Sequence, residues 1–238
     1  MNFRWAGMLL LLGLGVSCST TYQIRHAETS GFLGDYSHLR KGHGQEPRLI
    51  YYNPAIDIRD YDKIMIDPIV AYMGKDSRLD DMAREDLQAL LNYFYATLRE
   101  QLGKDYAIVD KPEPGVLRLR IALTDAKGSK VVMDTLSTVV PVALAVSALE
   151  RVALGKTLTA GTVRIEAEAL DPRTGMQVAA MVDERAGSKV TGRFDKWSKW
   201  QDARDAFDYW GWRLRTVLKE FRDRKGMKAP KAAQSDNP

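Results

Sequence analysis

Hydrophobic positions recur with two different periods along this chain, and the alternation between them outlines the fold. In YDKIMIDPIVAYM (61–73), Ile64 and Ile66 fall at every second position before Pro68. A period of two predicts a strand, and Pro68, which has no N–H for a ladder, predicts an edge or kink. Ser77-Arg-Leu-Asp80 then has the spacing of a capping box. Leu79, Ala83, Leu87, Leu90, Leu91, Phe94, Leu98 and Leu102 follow on one helical face, and Gly103 is placed to stop the helix. Tyr106–Val109 predicts a short strand. After the Pro112–Gly115 turn, Leu117, Leu119, Ile121 and Leu123 alternate with Arg118 and Arg120, as in a strand with one wet face. Val163, Ile165, Ala167 and Ala169 rise into the turn Asp171-Pro-Arg-Thr-Gly175, and residues 176–184 return, which predicts a hairpin. Ser198-Lys-Trp-Gln201 opens a last helix, with Trp200, Ala203, Phe207, Trp210, Leu214, Val217 and Phe221 spaced by threes and fours.

Two helices with one apolar stripe each need one sheet face to cover. The expected fold is therefore α+β, a two-layer domain with a mixed sheet of about five strands and both long amphipathic helices on one face. This order of elements resembles the amino-terminal domain of the periplasmic protein TolB and of some secretion lipoproteins. Residues 19–50 show no sustained period and contain Gly31, Gly34, Gly42, Gly44 and Pro47. The expected organisation is a signal peptide (1–17), an irregular lipid-anchored arm (18–55), a single α+β domain (56–223) and a basic tail (224–238) whose polar composition predicts disorder.

The leader changes this picture most. Arg4 precedes an apolar run from Trp5 to Val16 that ends in small residues before Cys18, the one cysteine of the chain. That is the layout of a signal peptide and is too short for a membrane span. Gly15-Val16-Ser17-Cys18 resembles the lipobox of bacterial lipoproteins, with Gly15 where Leu is usual. The resemblance implies acylation of Cys18, palmitate among the chains, and Ser19 after it implies the outer membrane rather than retention at the inner one. A single thiol also excludes internal disulfides. Without Arg4 and the tail residues Arg224, Lys225, Lys228, Lys231 and Asp236, residues 18–223 carry 30 basic and 30 acidic side chains. Such balance argues against nucleic acid as a partner, because that footprint needs clustered excess Lys and Arg.

Four stretches, SGFLGDYSHLRKG (30–42), YDKIMIDPI (61–69), GTVRIEAEALDPRTGMQVAAMVDERAG (161–187) and WSKWQDARDAFDYWGWRLRTVL (197–218), together resemble one group. This is the bacterial lipoprotein family catalogued as domain of unknown function 3313. The resemblance implies a secreted lipoprotein domain and transfers no catalytic residues.

Candidate chemistry is sparse. His26, His38 and His43 could ligate a metal, but their spacing matches no helix or strand face, so no metal and no cofactor is expected. Asp80, Asp81, Glu85 and Asp86 sit where a helix N-terminus favours acids without any catalytic role. Glycine pairs lack a nucleotide-loop context, and no serine sits in a nucleophile elbow. Trp200 and Trp210 read as core, whereas Trp197 and Trp212 fall off the stripe as candidate contacts. The uncharged run from Thr135 to Leu149, including Val139, Val140, Val142 and Leu144, is either a buried helix after Pro141 or an interaction surface. The expected function is a non-enzymatic binding or assembly module on the periplasmic side of the outer membrane. Its expected partners are the membrane, through Cys18, and a protein partner or a second copy. The alternatives are a cell-envelope hydrolase and a subunit of an oligomeric secretion or transport assembly.

Overall fold

The computed structural model describes residues 21–24, 28–75, 77–128, 161–187 and 200–223. The leader with Cys18, the apolar run 135–155, His26, Trp197 and the basic tail lie outside the described residues. In chain order the strands are β1 (Thr21–Gln23), β2 (Arg40–Lys41), β3 (Leu49–Tyr52), β4 (Lys63–Ile66) and β5 (Val70–Ala71). Helix α1 (Arg84–Leu102), β6 (Ala107–Ile108), β7 (Val116–Lys127), β8 (Thr162–Leu170), β9 (Gln177–Gly187) and α2 (Gln201–Asp223) follow.

All nine strands join one open sheet in the order β2-β3-β9-β8-β7-β4-β6, with β1 also on β9 and β5 also on β7. Strands β4, β5 and β6 pair in parallel, and the rest pair antiparallel. The α+β class holds, but the expectation of about five strands is corrected to nine among the described residues. Three of the additional strands, β1 to β3, arise in residues 21–52. Strands of two to four residues are too short to show a period, and only pairing reveals them: β1 and β3 on β9, and β2 on β3.

Both helices cover one sheet face. Phe94 of α1 stacks on Phe207 of α2 with ring centroids 4.4 Å apart. Around this pair Leu90, Leu98 and Leu102 of α1 and Trp210 and Leu218 of α2 meet Ile64, Leu119, Ile121 and Ile165 of the sheet. Helix α1 starts later than the capping box predicts. Leu79–Asp81 form a 3-10 turn, and the α-helix begins at Arg84 with no side-chain cap. The reason is tertiary: Asp125 accepts from the Arg78 backbone N–H at 2.9 Å and from its guanidinium, which holds the entry away from helical geometry. At the other end Gly103 caps α1 as expected, its N–H donating to the Arg99 carbonyl at 2.9 Å.

The other sheet face corrects a second expectation in part. Arg118 and Arg120 keep 39% and 40% of their side-chain surface exposed, so the face is wet at its β7 side as expected, but residues 30–36 fold over its centre and the charges on it are paired. Arg118 pairs with Asp67 at 2.7 Å, Arg120 with its cross-strand neighbour Glu168 at 2.5 Å, and Arg164 with Glu184 at 3.2 Å. Glu166, completely buried at the centre, accepts the Ser30 N–H and the Tyr36 hydroxyl, both at 2.5 Å. Tyr36 in turn accepts the backbone N–H groups of Gly31 and Leu33. Burying charge is tolerated here because each of these side chains has found partners.

Candidate functional site

The helix-facing row of β8 runs Ile165, Ala167, Ala169, and Ala169 pairs with Ala179 of β9. Methyl groups do not reach the helix above them. The C-terminal half of α2, from Trp210 to Leu218, therefore spans a cavity of about 120 Å³ between itself and strands β3, β7, β8 and β9. Its walls include Ile50, Leu119, Ile121, Trp210, Leu214 and Leu218, and Phe94 and Leu98 of α1 line it as well. Leu214 and Val217 remain half-buried although they belong to the apolar stripe, as expected of a helix face that meets space rather than side chains. Gln45, Glu46 and Pro47 form part of the lining, and Gln45 is exposed, so the cavity meets solvent beside this turn.

Polar groups lie at the margin and are almost all occupied. Asp183 accepts from the Gln23 side chain at 2.8 Å, from the Arg48 N–H at 3.2 Å and from the Trp210 indole N–H at 2.8 Å. Burial pushes its carboxyl above the ordinary aspartate value, with the three donors acting against that rise. Glu46 accepts both terminal nitrogens of Arg40 at 2.8 Å and the His43 N–H at 3.0 Å; the Arg40 contacts hold its carboxyl below the ordinary glutamate value. Glu168 contributes to the lining between Ala167 and Ala169, while its carboxylate is held on the opposite sheet face by Arg120 and the Gln177 amide. Burial, and after it the Glu46 charge, push the Tyr52 phenol up to about 12, so at neutral pH it is a neutral hydroxyl. Arg213 differs. Its Nε is buried without a hydrogen-bond partner, and its nearest carboxylate, Glu220, stands at 3.7 Å.

No serine, threonine, cysteine, histidine or lysine of the described residues lines this cavity. The arrangement offers apolar burial with a polar margin, which suits binding of an apolar group. Elsewhere, His38 lies near Asp35 at 3.6 Å and beside the Tyr51 ring. Among the described residues no cluster of His, Cys, Asp and Glu could hold a metal ion. Asp86 of the acidic first turn accepts the Trp200 indole N–H at 3.0 Å and so ties α1 to the start of α2. Trp210 is buried, and Trp212 is 46% exposed on α2 with its ring tilted against Tyr209. The sequence reading missed the cavity. The signal was present as alanines at 167, 169 and 179, but it shows only when those positions are set opposite one helix.

A model of the DUF3313 family, proteins of unknown function, matches residues 28–214. The chain belongs to this family. No curated protein matches this DUF3313 chain. Among solved structures it is similar to the PelC dodecamer from Paraburkholderia phytofirmans, at 14% identity over 67% of this chain and 92% of that one, with a TM-score of 0.36. It is also similar to a DUF330 protein from Xanthomonas campestris, at 13% identity over 71% and 91%, with a TM-score of 0.39. A candidate lipoprotein from Caulobacter crescentus matches at 10% identity over 71% and 96%, with a TM-score of 0.31.

Proposed function

We propose that this DUF3313 protein is a lipid-anchored lipoprotein on the periplasmic face of the outer membrane and that it binds an apolar ligand without transforming it. The observation that carries the binding reading is the cavity under α2, whose walls are apolar and whose acids already have donors. The leader, with Cys18 as the acylation site, supports the anchoring. Multiple acyl chains hold a protein stably where one does not. A protein partner or second copy would use the candidate contacts Trp212, Trp197 and the apolar run 135–155.

The binding reading is tested with a neutral apolar fluorophore added to the anchored protein. Its emission rises saturably with the native chain and loses that component in Ala169→Leu, which fills the cavity. Equal saturable signals from both proteins would place the fluorophore elsewhere and refute the reading.

A further inference from the structure

The cavity's margin discriminates between head groups, and it does so through one side chain. Arg213 sits on α2 one turn before Val217, with a side chain four-fifths buried and contributing to the cavity lining. A buried guanidinium N–H without an acceptor is costly, so most such groups find one in the protein or in a ligand. Among the described residues Arg213 Nε has none. Its contact with Glu220, at 3.7 Å, runs through a different nitrogen and ends on a half-exposed carboxylate.

A cationic head would find no comparable opening. The carboxylates on the cavity side are Asp183 and Glu46, and each already accepts three hydrogen bonds from the protein. The free capacity at the margin is thus donor capacity: the Arg213 Nε–H and the neutral Tyr52 hydroxyl. Donors that lack acceptors, beside a positive charge, fit an anion, and a planar fork fits a carboxylate best.

Volume limits what can hang from that head. About 120 Å³ is close to the ~150 Å³ at which an apolar cavity takes a benzene-sized guest. It admits the end of one aliphatic chain and not two. Resting on the binding reading above, the geometry points to a short single-chain carboxylate, a fatty acid of about six carbons, with its chain under α2 and its carboxylate on Arg213.

The test uses the full chain in its own membrane. Membranes are titrated with photoactivatable probes of about six carbons, a carboxylate and the corresponding alcohol, and labelling of peptides from 161–187 and 200–223 is measured by mass spectrometry, with roughly a tenfold preference expected for one charge-assisted pair. The carboxylate half-saturates at about one-tenth of the alcohol concentration in the native chain, and Arg213→Gln brings the two within about twofold by weakening the carboxylate alone. Arg213→Lys keeps the charge and keeps a preference, which separates charge from loss of folding. Equal labelling by both probes in the native chain, or a preference that survives Arg213→Gln, overturns the head-group assignment and leaves the cavity reading standing. Failure of both probes to label these peptides overturns the cavity reading as well.

Discussion

Replacing Ala169 by Leu should make this protein more stable while emptying it of function. In a close-packed core the added isobutyl atoms would clash, and overpacking costs about 1–3 kcal/mol. Here the methyl of Ala169 faces the cavity of about 120 Å³ beneath α2. At ~24 cal/mol per Å³ of void, that volume represents about 3 kcal/mol of packing the native sequence forgoes. Burying three methylene equivalents at ~0.8 kcal/mol each gives an independent figure of about 2.4 kcal/mol. Side-chain ordering of Leu takes back about 0.5–1 kcal/mol, and imperfect fit takes more. A net gain of about 1–2 kcal/mol is expected, seen as a Tm higher by about 3–6 °C for a domain of this size. The assay is thermal unfolding followed by near-ultraviolet circular dichroism, which Trp210 beside the cavity reports, paired with the fluorophore titration on the same samples. Higher Tm with lost binding is the signature of a site kept open at the expense of stability. A Tm lowered by about 1–3 kcal/mol equivalent would show the space under α2 to be filled already, and the argument for a binding cavity would fail.

Tyr36→Phe should cost about 1–3 kcal/mol, because Glu166 loses a donor and the Gly31 and Leu33 N–H groups lose their acceptor; hydrogen exchange at Ser30 and Gly31 would accelerate, and unchanged exchange would count against the arm being held there. Glu46 is held below its ordinary value of 4.5 by Arg40. Its contribution is therefore present above pH 4.5 and lost as pH falls through the folded pKa. The Tm difference between the native chain and Arg40→Gln should accordingly shrink on acidification, and a constant difference would refute the pairing. Cys18→Ser behind an ordinary cleavable signal should leave a folded, soluble periplasmic protein. The 18–223 region is charge-balanced and no helix among the described residues is long and apolar enough to cross a membrane. Retention in the outer-membrane fraction through a high-salt wash would identify a second anchor.

What the sequence determined by itself is whatever repeats within one element. Period 3.6 marked α1 and α2, period two marked β7 and the β8–β9 hairpin, and Asp171 to Gly175 named the turn that joins them; Gly175 there has φ 72°, and Asp171 accepts the Arg173 N–H at 2.8 Å. These are local preferences, written in consecutive residues. Tertiary structure decided what depends on residues far apart. Strands β1 and β3 exist because β9 offers an edge to pair with, β2 because β3 then offers its own, and a two-residue strand carries no period of its own. Arg118 and Arg120 read as solvated along β7 and stay 39% and 40% exposed, but their partners Asp67 and Glu168, about 50 positions away in the chain, are set by the fold alone. The capping box at Ser77 lost to Asp125, which captured Arg78. The site followed the same rule. Alanines in a strand are unremarkable in sequence, and they become a cavity only where several strands place their short side chains beneath one helix. Packing is a property of facing surfaces, so a void is written in no single segment of the chain.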